Sequence, residues 1–143
     1  MTSSRTEPSV GEKKAESALR AVLLGAGLWL APFSLVQNGA WAGVVVVLGL
    51  ALVLVIASVS RFPSAAALWM ARRSSERHLA FWSVWFSCGG LLTSVLVAAL
   101  PAVGIAAGIP VPWAFWTVIG GGAVSALINL VVLVRNIAAK PGP

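Results

Sequence analysis

The chain has 143 residues, 59% of them hydrophobic and 10% charged, with a formal charge of +6. That length fits one domain, and the composition excludes a water-soluble one, because soluble domains run at about a quarter charged and could not hide so much apolar surface. The basic excess does not point to nucleic acid: Lys and Arg sit at the two ends and in one middle segment, where the positive-inside rule puts them and anionic headgroups attract them.

Residues 1–17 are expected to form a cytoplasmic N-terminal tail, partly disordered because Met1 to about Gly11 is polar with little to pack. Ser9 and Glu12 have capping-box spacing, and Glu16 and Arg20 can pair one turn apart, so a helix begun near residue 10 can run straight into the membrane. From Ala21 to Val36 there is no charge. That stretch covers only about 24 Å of a hydrocarbon core about 30 Å thick, so the first span, 19–37, borrows from Leu19 and a snorkelling Arg20 on one side and Gln37 on the other. Pro32 implies a bend near its far end. A basic lead, an apolar core and Ala40-Trp41-Ala42 imitate a secretory signal, but cleavage there would leave Gly43 opening a hydrophobic N-terminus, so the segment is read as a span.

After a Gln37-Asn38-Gly39 turn, residues 40–60 form the clearest span, rich in Val and Leu and free of charge. Arg61 anchors its end, and Phe62-Pro63 stops the helix. The cytoplasmic loop 61–78 carries Arg72, Arg73, Glu76, Arg77 and His78 beside Leu68, Trp69 and Met70. It fits either a short interfacial helix or a solvated connection. The third span is placed at 79–100, ended by Pro101, and an uncharged outer loop at 101–112 leads to the fourth span, 113–134. Residues 136–143 make a cytoplasmic tail.

Orientation follows from the ten Lys and Arg residues. Arg5, Lys13, Lys14 and Arg20 precede the first span; Arg61, Arg72, Arg73 and Arg77 lie between the second and third; Arg135 and Lys140 follow the fourth. Basic residues on alternate connections predict an all-α membrane protein with four transmembrane helices in two hairpins, both termini inside, and a four-helix domain over 18–135. Arg20, Arg61, Arg72, Arg73, Arg77 and Arg135 become candidate contacts to anionic lipid headgroups on the cytoplasmic side.

In lipid, helix association depends on close approach at small residues. Gly27 with Ala31, Gly90 with Ser94, Gly121 with Ser125 and Gly122 with Ala126 have the small-xxx-small spacing. Asn129, the most polar group deep in a span, either bonds across helices or lines a polar path. Ser87, Thr93, Ser94, Thr117 and Ser125 are expected to bond back to their own helix carbonyls. Ser74, Ser75, Glu76 and His78 are the residue types of a hydrolase triad, but sequence neighbours do not converge around one reacting atom, and His78 is read as interfacial. Cys88 stands alone inside an apolar run and is read as a packing residue, and one His with one Cys leaves no catalytic metal cluster. No catalytic residue and no cofactor is therefore expected. The tryptophans near span ends suit the headgroup belt.

Trp41-Ala42 ahead of Gly49 and Trp113-Ala114 ahead of Gly121 share one spacing, and Pro32 and Pro101 each close an odd-numbered span, the pattern of a parallel two-hairpin repeat. The stretch Gly27-Leu28-Trp29-Leu30-Ala31-Pro32-Phe33, followed by Trp41 and the span holding Gly49, resembles the bacterial SPW-repeat membrane proteins. The resemblance covers residues 20–60 and extends poorly to 80–135; Ala31 stands for the motif's Ser and Phe33 for its Trp, and the second half offers only Leu100-Pro101-Ala102 or Val111-Pro112-Trp113. It implies a small helical protein of the bacterial inner membrane without assigned chemistry. Two functional expectations remain: a non-enzymatic structural or interaction subunit, working as a homo-oligomer or within a larger membrane complex, or a small-solute transporter or channel that acts as a homo-oligomer.

Overall fold

A chain with so few polar side chains must satisfy its backbone internally, and helices do this within one segment. The computed structural model describes residues 10–34, 41–110 and 112–138, and these are almost entirely helical: α1 Val10–Phe33, α2 Trp41–Val59, α3 Phe62–Arg73, α4 Glu76–Ala106 and α5 Ala114–Ala138. Three of them, α2, α4 and α5, are long and apolar enough to cross a membrane. The charged first half of α1 sets it apart from those three, although it is the central element, packed against all four other helices. Ser9, the Gln37-Asn38-Gly39 turn and Lys140 lie outside the described residues.

The distribution of side chains is the reverse of a soluble core. Among the described residues, Leu79 and Val118 are the only large aliphatic side chains that are fully buried, while Ala, Ser, Gly and Asn fill the interior. Trp41, Val46, Leu92, Leu100, Trp113 and Ile137 are all well exposed. In water such a surface would drive association; against lipid tails it is the favoured solvent-facing surface, and small residues inside let backbones approach.

Several boundaries differ from the sequence expectation, each for a local reason. The start of α1 is not among them: the helix expected to begin near residue 10 begins at Val10, and its first turn has a partner, the Gly11 N–H donating to Glu76 Oε2 at 3.0 Å. A carboxylate from the start of α4 thus satisfies one of the donors left open at the start of α1. The approach is close: a Cβ at Gly11 would lie 2.9 Å from Glu76 Oε2 and 3.0 Å from Leu79 Cβ, so a larger residue would displace the carboxylate. Phe62-Pro63 ends α2 and also opens α3, where proline costs nothing because N-terminal N–H groups have no helical partner. The loop 61–78 therefore contains a helix, which docks Ala67 against Ala15 and Leu79 and stacks Arg73 over the exposed Trp69 ring at 4.6 Å.

The largest shift is in α4. It passes through Pro101 and ends at Ala106, so the connection expected to begin at 101 begins at 107. Proline removes one hydrogen bond, whereas the stop is made by Gly108, whose φ of 80° is the left-handed conformation glycine adopts freely. Gly108 N–H donates to the Ile105 carbonyl and Ile109 N–H to the Gly104 carbonyl, both at 3.0 Å, which is the Schellman termination. At the other end of the chain α5 continues to Ala138, past the expected end at 134, and Asn136 Nδ2 donates to the Lys14 carbonyl at 3.2 Å.

Arg20 also departs from expectation. Its side chain stays partly exposed, but rather than only snorkelling toward headgroups its guanidinium is bonded to four groups of the protein. Nη1 donates to the carbonyls of Ser58 (2.8 Å) and Ser60 (3.2 Å), Nη2 to Ser64 Oγ (3.3 Å) and Nε to Glu16 Oε2 (3.4 Å). Carbonyls at a helix C-terminus lack helical partners and carry partial negative charge, so a cation suits the end of α2. These bonds, with those of Gly11 and Asn136, gather the start of α1, the end of α2, α3, the start of α4 and the end of α5 at one end of the bundle. All described charged residues lie there.

Candidate functional site

In the middle of the bundle α1, α4 and α5 approach closely, and glycine permits it. Gly25 of α1 and Gly90 of α4 both face the Asn129 amide of α5; a Cβ at Gly25 would meet Ser125 Oγ and one at Gly90 would meet Asn129 Oδ1. Ser94 Oγ donates to the Gly90 carbonyl at 2.7 Å and lies 2.5 Å from Ser125 Oγ. Since a hydroxyl has one proton, Ser125 must donate to Ser94, which fixes the direction of the chain Ser125 to Ser94 to Gly90.

Asn129 is fully buried, and its Nδ2 donates to the Ser125 carbonyl at 2.8 Å. That bond also settles the amide orientation, because Oδ1 in the same place would oppose one carbonyl to another. Oδ1 is left over Gly90 without a hydrogen-bond partner, and Ser87 Oγ, buried on the same face of α4, has none either. Beside this knot lies a cavity of about 250 Å³. Its walls combine Trp29, Trp85 and Phe86 with Thr93, Ser94, Ser125 and Asn129. No titratable group lines it. Such a site can hold a neutral polar group by hydrogen bonding; it offers no acid, base or activated nucleophile.

Of the packing candidates, Gly90, Ser94, Ser125 and Asn129 come together here. Gly121 and Gly122, adjacent in sequence, serve different neighbours: a Cβ at Gly121 would lie 2.5 Å from the Leu28 carbonyl oxygen of α1, and one at Gly122 would lie 3.0 Å from the Ser94 carbonyl oxygen of α4. Gly27 seats α1 on α2, against Val55 and the Ala51 carbonyl. Ala31 and Ala126 are only half-buried. Gly49 and Gly121, equivalent in the expected repeat, differ in surroundings, since nothing lies within 4 Å of a Cβ at Gly49.

Sequence reasoning missed Gly25 and the role of Ser87. The signal for Ser87 was present: Ser83, Ser87, Gly90 and Ser94 recur at helical spacing and mark one face of α4. Ser83 and Thr117 do bond back to their own helices, at Ala80 and Ala114, but Ser87 does not. Near the charged end, Ser75 caps α4, its Oγ accepting from His78 N–H and lying 2.9 Å from His78 Nδ1, while Glu76 turns away to Gly11. The three therefore do not converge on one point. Arg61, Arg72, Arg73, Arg77 and Arg135 are exposed at that same end, and Cys88 is exposed on α4. Among the described residues no three of His, Cys, Asp and Glu are grouped as metal ligands.

Replacing Asn129 by Leu tests what the knot contributes. It removes one bond and one unpartnered buried acceptor, whose desolvation costs about 1–3 kcal/mol, so stability in detergent should stay within about 1 kcal/mol or rise. A loss well above that, measured by denaturant titration, would make Asn129 a structural bond rather than a group held at a cost.

Comparison with known proteins gives no match, whether to a protein family, to a characterised protein or to a solved structure.

Proposed function

We propose that this chain is a non-enzymatic protein of the bacterial inner membrane that crosses the bilayer four times, keeps both termini in the cytoplasm, and works by holding other transmembrane helices, either a second copy or members of a larger complex. The observation that carries this reading is α2. It has a mean hydropathy of 2.9, packs only on α1 and α3 among the described elements, and exposes Val45, Val46, Leu52, Val53 and Ile56 around Gly49, where a Cβ would have open space. Glycine on an outward helix face costs about 1 kcal/mol against alanine and is characteristic of close helix approach. The fourth crossing is assigned to the apolar half of α1, from Leu19 to Phe33, on the strength of its central packing and of the charged segments sharing one end. The resemblance of residues 20–60 to SPW-repeat proteins points to the bacterial inner membrane.

Crosslinking in native membranes tests this. With Cys88→Ala as background, Gly49→Cys should give a crosslinked dimer or a heavier mixed product, and Val131→Cys on α5 should give far less. Recovery of monomer alone from Gly49→Cys counts against the interaction role. A second reading, a small-solute path, is favoured by the unpartnered Asn129 Oδ1 beside the 250 Å³ cavity. It requires that protein in liposomes move a solute and that Asn129→Leu abolish the flux; unchanged flux removes that path.

A further inference from the structure

At the charged end a second cavity, of about 410 Å³, lies over α1 between α2 and α5. These two flanking helices are not packed on each other among the described residues, so neither closes the cleft against the other. Its lining changes with depth. Arg20 and Arg135 stand at the charged end; Leu24 lies one turn deeper on α1, and Val132 and Ile128 lie one and two turns deeper on α5. Arg135 has no hydrogen-bond or ion-pair partner among the described residues, whereas Arg20 keeps one N–H beyond its four internal bonds. The Asn136 bond to the Lys14 carbonyl ties the end of α5 to α1 beside the cleft.

Resting on the membrane reading above, we propose that this cleft holds one anionic phospholipid, its phosphate at Arg135 and Arg20 and an acyl chain along Leu24, Val132 and Ile128. The lipid fills the gap between α2 and α5 and so braces the helix that, among the described elements, packs only on α1 and α3. Arg135 and the remaining N–H of Arg20, whose charge is shared with Glu16, stand above an apolar floor as a phosphate stands above a hydrocarbon chain, and a net-negative headgroup avoids placing a choline against the guanidinium groups.

Native mass spectrometry of the full chain from nanodiscs of equimolar phosphatidylglycerol and phosphatidylcholine tests the site. One phosphatidylglycerol should be retained per chain, favoured over phosphatidylcholine by about fivefold or more, the worth of one cation near an anionic headgroup. Arg135→Gln should remove the preference, Ile128→Trp should expel the lipid with both arginines intact, and Lys13→Gln, an exposed cation elsewhere on α1, should change neither. Equal retention of the two lipids overturns the proposal, as does an equal loss in Lys13→Gln, which would mean only a basic surface. Displacement by inorganic phosphate overturns it too, since a bare phosphate site needs no chain. Arg135 is exposed, so its variant folds even if Ile128→Trp does not. Recovery of the protein in the membrane fraction tests the membrane reading separately.

Discussion

Gly121→Val destabilises the bundle by about 3 kcal/mol, at or above the upper end of what overpacking costs, because the new side chain meets backbone rather than side chain. A Cβ at Gly121 would lie 2.5 Å from the Leu28 carbonyl oxygen and 3.1 Å from Trp29 Cα, and main-chain atoms in the middle of α1 cannot rotate away. The only relief is to move α1 and α5 apart, which also pulls Gly25 off Ser125 and Asn129. The neighbouring Gly120→Val is the control: nothing lies within 4 Å of a Cβ there, and it should stay within about 0.5 kcal/mol of the parent. Both changes improve helix propensity equally, so their difference isolates the packing term. Denaturant titration in detergent, followed by circular dichroism, reads it directly. Similar stabilities for the two variants would mean that α1 does not lie on this face of α5.

Arg20→Leu is expected to cost about 2 kcal/mol, less than the sum of its four hydrogen bonds because its side chain is 36% exposed and water replaces part of what is lost. The effect should be local. Hydrogen exchange should quicken most in the last turn of α2, which loses its hydrogen bonds to Arg20, and less in α3, which keeps the Ser64 bond to Glu16 and the Ala67 contact with Ala15, while α4 and α5 keep their protection. Arg20→Lys should recover only part, since an ammonium cannot reach the Ser58 and Ser60 carbonyls and Ser64 as a planar fork does. Uniform faster exchange throughout would contradict a pinning role.

What could be read from the residues and what could not divides along a physical line. Apolar run length located α2 to within a residue or so, and the alternation of cations anticipated that Arg61, Arg72, Arg77 and Arg135 share one end with the start of α1. Pattern is enough there, because the bilayer imposes one constraint on every segment. Helix ends needed more. Pro101 looked like a terminator, yet a proline forfeits one bond while the continuing helix keeps the others; Gly108, with its left-handed φ, was the better signal. Contacts across the chain were least legible. That Arg20 would bind Ser58, Ser60 and Ser64 cannot be seen in its own neighbourhood, where the charge reads simply as interfacial. Gly121 and Gly122 both suit close packing, but a rotation of about 100° per residue sends them to different helices, and which helices flank α5 is not written locally. Asn129 stood out as polar among apolar neighbours, whereas Gly25 was eclipsed by the small-xxx-small pair at Gly27 and Ala31.

Cysteine accessibility across α4 is the most direct measurement. In a Cys88→Ala background, Arg72→Cys and Ile109→Cys place thiols near the two ends of that helix, and intact cells are treated with a membrane-impermeant maleimide. Ile109→Cys should react from outside and Arg72→Cys only after lysis. Reaction of Arg72→Cys in intact cells, or equal behaviour of the two, would mean that the basic end does not face the cytoplasm or that α4 does not cross.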